Sequence, residues 1–142
     1  MALVDVVYAR HTTGRWLILH SLANLAITIF SLQDFYATLI DPVNSCNAAY
    51  SLVPVYGIAA LHLYHILAFR NLSTSEWIHH LLFGGAICTI GILFASGPLQ
   101  NFIAFFICGL PGGIDYLLLF LVKQGIVQKL EEKVSWTSKH SQ

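Results

Sequence analysis

Five of the seven histidines in this 142-residue chain stand in apolar surroundings, at spacings that could do chemistry. His62 and His65, in ALHLYHIL, are three apart and share one face of a helix. His79 and His80, in WIHHLL, are adjacent and point about 100° apart. His20, Asn24 and Thr28 recur every four residues, and Asn101, Cys108 and Asp115 every seven, so each set forms one helical stripe. Three kinds of chemistry fit. His80 as a general base, oriented by His79 or Asp115, could deprotonate a hydroxyl or amine for acyl transfer. His62, His65, His79 and His80, with Asp115, could ligate iron or zinc, or two histidines on facing helices could hold haem or chlorophyll. The plain alternative is a polar interior of mutually satisfied side chains. Structural histidines are commoner than ligands, and membrane di-iron enzymes use about twice as many in characteristic boxes, so the expectation is no metal and no cofactor.

The elements that position these residues follow from composition. The chain is 56% hydrophobic and 10% charged, with mean hydropathy +0.69. Soluble domains carry about a quarter charged residues, so the expected class is an all-α polytopic membrane protein. Seven Lys+Arg balance seven Asp+Glu, which gives no basic excess for nucleic acid. Cys46, Cys88 and Cys108 form no CxxC and read as reduced thiols. In residues 1–15 a short apolar patch precedes Arg10 and Arg15, the reverse of a secretory signal.

Four spans of about 20 residues fit. The first covers about residues 16–40 and stops at Asp41-Pro42, since proline disfavours helix in the residue before it. The second covers about 50–69, with Pro54 in its first turns. The third covers about 77–95, preceded by Ser73 and Glu76 at capping-box spacing. The fourth covers about 98–122 and starts at Pro98. Arg10 and Arg15 precede the first span, Arg70 lies between the second and third, and Lys123, Lys129, Lys133 and Lys139 follow the fourth. The other two connections carry no Lys or Arg. This alternation places both termini on the cytosolic, matrix or stromal side. The expected organisation is a surface segment at 1–15, a four-helix domain at 16–122 and a polar tail at 123–142. In that tail Ile126, Leu130 and Val134 recur at helical spacing, fitting a short interfacial helix or a solvated end. Asn71-Leu72-Ser73 matches a glycosylation acceptor but falls on the inner side, and reads as chance. Trp16, Tyr50 and Trp77 stand at span ends as interfacial anchors.

Each span thus has one polar seam, and seams in hydrocarbon should turn inward. The least ordinary stretch is FICGLPGGIDYLLLF at 106–120. Gly109 and Gly113 have the small-xxx-small spacing of closely packed helices, with Gly112 between them. Pro111 removes a backbone donor, so a kink is expected around 107–111. Asp115 is expected to be buried in protein, either bonded to a neighbour in a tightly packed kinked helix or lining a cavity at a broken one. The seams also predict His79 and His80 within reach of His20 or Asp115.

In order and spacing, RWLILHSLAN with His20, Asp41-Pro42, WIHHLL with His79-His80, and LQNFIAFFICGL with Asn101 resemble motifs of the TLC-domain membrane proteins, which include the ceramide synthases. The resemblance covers about residues 10–120. It implies a lipid-handling membrane protein of the endoplasmic reticulum; a mitochondrial or plastid membrane would suit an accessory subunit. The chain is shorter than the family domain, has Asp115 within GLPGGIDY where ceramide synthases carry an aspartate pair, and has histidines in ALHLYHIL where many members carry an acidic residue. The expectation is therefore a small non-catalytic protein that binds phospholipid or sphingolipid or serves as a subunit of a larger membrane complex. A ceramide-synthase-type acyltransferase using His79 and His80 is the alternative. A haem, chlorophyll or metal site is the second alternative.

Overall fold

The computed structural model describes residues 2–69, 71–94 and 97–128. The described residues are all-helical, with a 3-10 turn at Ala9–His11 and six further helices: α1 Ala2–Val7, α2 Arg15–Ile40, α3 Pro42–Ser45, α4 Val53–Ala68, α5 Thr74–Phe94 and α6 Leu99–Lys123. Three of these, α2, α5 and α6, are long and apolar enough to cross a membrane. The 16 residues of α4 reach about 24 Å at ~1.5 Å each, short of a ~30 Å hydrocarbon core. Arg70, Ala95, Lys129, Leu130, Lys133, Val134 and Lys139 lie outside the described residues.

Local chemistry sets the helix ends. α2 stops where Asp41 leaves helical geometry before Pro42, and the Asp41 carboxylate caps α3 by accepting from the Asn44 backbone at 3.1 Å. α4 starts at Val53 rather than residue 50. Pro54 is tolerated only in a first turn, and residues 50–52 are drawn away: the Ser51 N–H donates to Asp34 at 3.3 Å and its carbonyl accepts from Asn101 at 2.6 Å. α5 starts three residues before Trp77 because Ser73 and Glu76 form a complete capping box. α6 starts after Pro98.

α2 is the centre of the bundle. Half of its apolar stretch is buried, against 11% for α5 and 17% for α6. Its buried edge carries His20, Asn24, Ile27, Thr28, Ser31, Asp34 and Thr38, so the polar stripe faces protein as expected. α6 lies close on α2 because its glycines leave room. A Cβ on Gly112 would stand 2.8 Å from the Asn24 amide, and one on Gly109 3.1 Å from the Thr28 hydroxyl. The Ser21 hydroxyl adds a bond to the Gly113 carbonyl at 3.1 Å.

Two long helices are interrupted by wide π turns, at Leu81–Ile87 in α5 and Phe105–Gly109 in α6. The second overlaps the expected 107–111 only over residues 107–109 and ends at Gly109, whose ψ of −109° is not helical. Pro111 then opens the next helical segment, where a missing N–H costs least.

Beside the bundle, α1 is fastened by its one buried residue. Asp5, 1% exposed, accepts from Arg15 Nε at 2.6 Å, from a second Arg15 nitrogen, and from the Tyr64 hydroxyl at 2.5 Å. The Arg15 guanidinium holds the Asp5 carboxyl below the usual carboxylate range. Arg15 also lies over the Phe69 ring, 4.5 Å from its centroid.

Candidate functional site

The five apolar-segment histidines meet at the end of the bundle where α2 and α5 begin and α4 ends. His20 from α2 contacts His65 from α4, with ring centroids 5.0 Å apart. His65 stacks on His80 of α5 at 4.3 Å. His62 contacts His79 at 5.4 Å and His80 at 5.2 Å. His20, His62, His65 and His80 are buried, and His79 is exposed. His79 and His80 thus join the His20 seam through His65 and His62. Trp16 at 5.7 Å and Tyr116 at 4.7 Å close the array around His20.

Gly84 makes this approach possible. A Cβ there would lie 2.3 Å from the His62 Cβ, so only glycine lets α5 settle against α4 at this depth. The Gly84-Gly85 pair is the sequence signal for this contact, and the spacing of polar residues does not reveal it.

Two backbone bonds fix tautomers. His20 Nδ1 lies 2.7 Å from the Trp16 carbonyl and His62 Nδ1 2.8 Å from the Ile58 carbonyl. A carbonyl only accepts, so both Nδ1 atoms carry the proton and both Nε2 atoms keep a lone pair. His65 Nδ1 and His80 Nδ1 are buried without a hydrogen-bond partner. Ring nitrogens of His62, His79 and His80 lie within 4.8 Å of one another.

Two openings flank the array. A polar vestibule of about 330 Å³ is lined by Arg15, Trp16, His65, Asn71 and Glu76. A groove of about 310 Å³ runs past His62 and His80 between small residues, Ala59 and Ala60 on α4 and Gly84 and Gly85 on α5. Farther along, an apolar crevice of about 190 Å³ opens between α4, α5 and α6, walled by Val55, Ile58, Phe83, Ile87 and Ile107.

At the opposite end a second polar group is buried. Asn101, fully covered, donates to the Asp34 carboxylate at 2.5 Å and to the Ser51 carbonyl. Asn101 faces inward, as its stripe predicts. Its partner Asp34 is not among the residues singled out by spacing, although it extends the stripe His20, Asn24, Thr28, Ser31 by one more step. Asp5, Arg15 and Tyr64 likewise escape a reading by spacing, since no such rule links residues 59 apart.

Asp115 is the correction. The sequence predicts it buried in protein, but it is exposed, and no hydrogen bond or ion pair engages it among the described residues. The π turn explains this. Asn101 and Asp115 are fourteen apart, which in a regular helix returns to within about 40° of the same face at ~100° per residue. A π turn takes up one extra residue. Asp115 then sits where a thirteenth residue would, about 140° away, and Tyr116 inherits the seam position against His20. A seven-residue stripe read through Cys108 crosses the interruption itself.

Compared with known proteins, the chain matches no family model, no curated protein and no solved structure.

Proposed function

We propose that this chain is a small four-span integral membrane protein with both termini on the inner side, without an acyl-transfer chemistry of its own, serving as a lipid-binding subunit of a larger membrane assembly. Asp115 carries the reading. It projects from an apolar span eight residues before Lys123, about 12 Å along the axis at ~1.5 Å per residue, and its neighbours on that surface are Pro111, Ile114, Leu118 and Leu119. A carboxylate facing acyl chains costs ~2.5–3.5 kcal/mol even on insertion scales. A second transmembrane helix with a donor at that depth removes the cost.

The lipid component rests on the crevice between α4, α5 and α6, whose walls are almost wholly apolar and which suits part of an acyl chain. The TLC-like motifs agree with lipid handling. For acyl transfer by His79 and His80, no hydrogen bond joins either ring to a carboxylate among the described residues, so the base lacks an orienting partner.

The test is extraction of the native membrane in a mild detergent, followed by sizing and lipid analysis of what travels with the chain. The expected result is a complex well above 15.7 kDa plus its detergent, which Asp115→Asn dissociates while helicity is retained. A wild-type chain that migrates alone, with no retained lipid, would refute the reading.

A further inference from the structure

We propose that His62, His79 and His80 form a binding site for one first-row divalent transition-metal ion of the zinc type. The site is separate from the Asp115 surface and does not depend on it.

The donor set comes first. One nitrogen from each ring lies within 4.8 Å of the others. A tetrahedral ion with bonds of about 2.05 Å needs its nitrogens about 3.4 Å apart, so modest side-chain rotation closes the set. His79 is exposed and supplies most of that movement, and among the described residues no hydrogen bond holds either His79 or His80. His62 is already in the ligating tautomer: its Nδ1–H is spent on the Ile58 carbonyl, and its Nε2 lone pair is left open.

The second observation is independent. His80 is 4% exposed and His65 6%, and each buries an Nδ1 with no partner among the described residues, as do side-chain atoms of Thr38, Gln100 and Asn101 away from the array. Native proteins rarely leave such atoms orphaned. An ion at this point takes up the His80 ring, and His65 stacks on that ring from the side of the vestibule.

The surroundings select the ion. Three imidazoles suit zinc, copper, iron or nickel, whereas magnesium and calcium need oxygen ligands. Rings with centroids 4.3–5.4 Å apart are in direct contact and leave no slot for a haem. Entry is from the aqueous side, through the vestibule that reaches His65. Glu76, one turn before His79 and His80 and held by its bonds to Ser73, sets negative charge at that mouth without being a ligand.

The test is Co²⁺ titration of the purified full chain in lipid nanodiscs, read by visible absorption and followed by Zn²⁺ displacement. The expected result is one ion per chain with the spectrum of a tetrahedral site. His79→Ala should weaken binding by at least about tenfold with an unchanged circular dichroism spectrum, because loss of one exposed ring leaves the helix backbone intact. His62→Gln should do the same, His11→Ala, on the surface outside the array, should bind like wild type, and acidification should release the ion as the imidazoles protonate. Absence of saturable binding, equal affinity in wild type and His79→Ala, or a haem absorption band in the isolated protein would each overturn the proposal.

Discussion

The histidine array and the Asp115 surface are both polar intrusions into apolar helices, and the fold treats them in opposite ways. The array draws five imidazoles from three helices into mutual contact, where neutral rings can stack at little electrostatic cost. Asp115 has no companion among the described residues and is turned outward. The difference lies in number and charge. Several polar rings can stack on one another within a bundle this small, whereas a single carboxylate needs a donor that must be supplied. Its neighbours on that surface of α6, Pro111, Ile114, Leu118 and Leu119, offer no side-chain donor, and Tyr116 is turned toward His20, so the carboxylate is left for something outside.

That contrast is most sharply broken at Gly84. Gly84→Leu drives a side chain into His62 and forces α5 away from α4. Overpacking of this kind costs about 1–3 kcal/mol, at times more. Of the substitutions at these two regions and their borders, this one should have the largest effect: loss of the His62 contacts with His79 and His80, read as a lowered unfolding midpoint in a denaturing-detergent titration. An unchanged midpoint would mean that α5 does not rest on α4 through this residue.

The next effect belongs to the clasp that borders the array. Asp5→Asn removes the charge but keeps one acceptor, so it loses only part of the about 1.5–3 kcal/mol of a charged hydrogen bond, and it should loosen α1, raising amide exchange over residues 2–8. The pH dependence has a definite sign. The Asp5 carboxyl titrates below its ordinary value when folded, so its stabilisation is fully present above the unfolded pKa of about 3.9 and is lost as pH falls through the lower folded value. Amide protection over residues 2–8, corrected for the intrinsic pH dependence of exchange, should stay flat from neutral pH to about 5 and fall below about 4, and Asp5→Asn should abolish that fall.

Gly113→Leu sharpens the other half of the comparison. Its Cβ would meet Asn24 and the Leu25 backbone at 3.5–3.7 Å, ordinary contact for an alanine but not for the rest of a leucine. A loss of about 1 kcal/mol is expected, at the low end of overpacking, with α6 loosened from α2 and the histidines left in place. The smallest effect on the isolated chain is expected from Asp115→Asn. An exposed, unpaired side chain should change stability by no more than about 0.5 kcal/mol, although the same substitution should abolish assembly. A large loss of stability in the purified chain would show that Asp115 has a partner within it.

Much of this architecture is legible in the residues. The Asp41-Pro42 stop, the Ser73–Glu76 capping box and the polar stripe of α2 act locally, through proline geometry, a two-bond cap and a constant helical period, and each does in the structure what its chemistry demands. The position of Asp115 is not legible, because its stripe assumes one period through a π turn, and nothing in FFICG announces an extra residue in the turn. The meeting of His62 with His79 and His80 follows from convergence of seams, but its tightness depends on Gly84, whose meaning appears only when α4 is brought against it. The bond from Asp5 to Tyr64 is invisible for a different reason: it joins residues 59 apart, on elements related only by the finished fold.

That last bond also bears on the order of biogenesis. Asp5 and Arg15 are synthesised within ten residues of each other and can pair as soon as both have emerged, but the Tyr64 hydroxyl arrives only when α4 has returned to the side from which α2 departed. The three-way contact is therefore complete only after α2 and α4 have been laid down as a hairpin. From then on, withdrawing α4 means breaking a bond to α1, so a helix made before both becomes the latch on the pair α2 and α4.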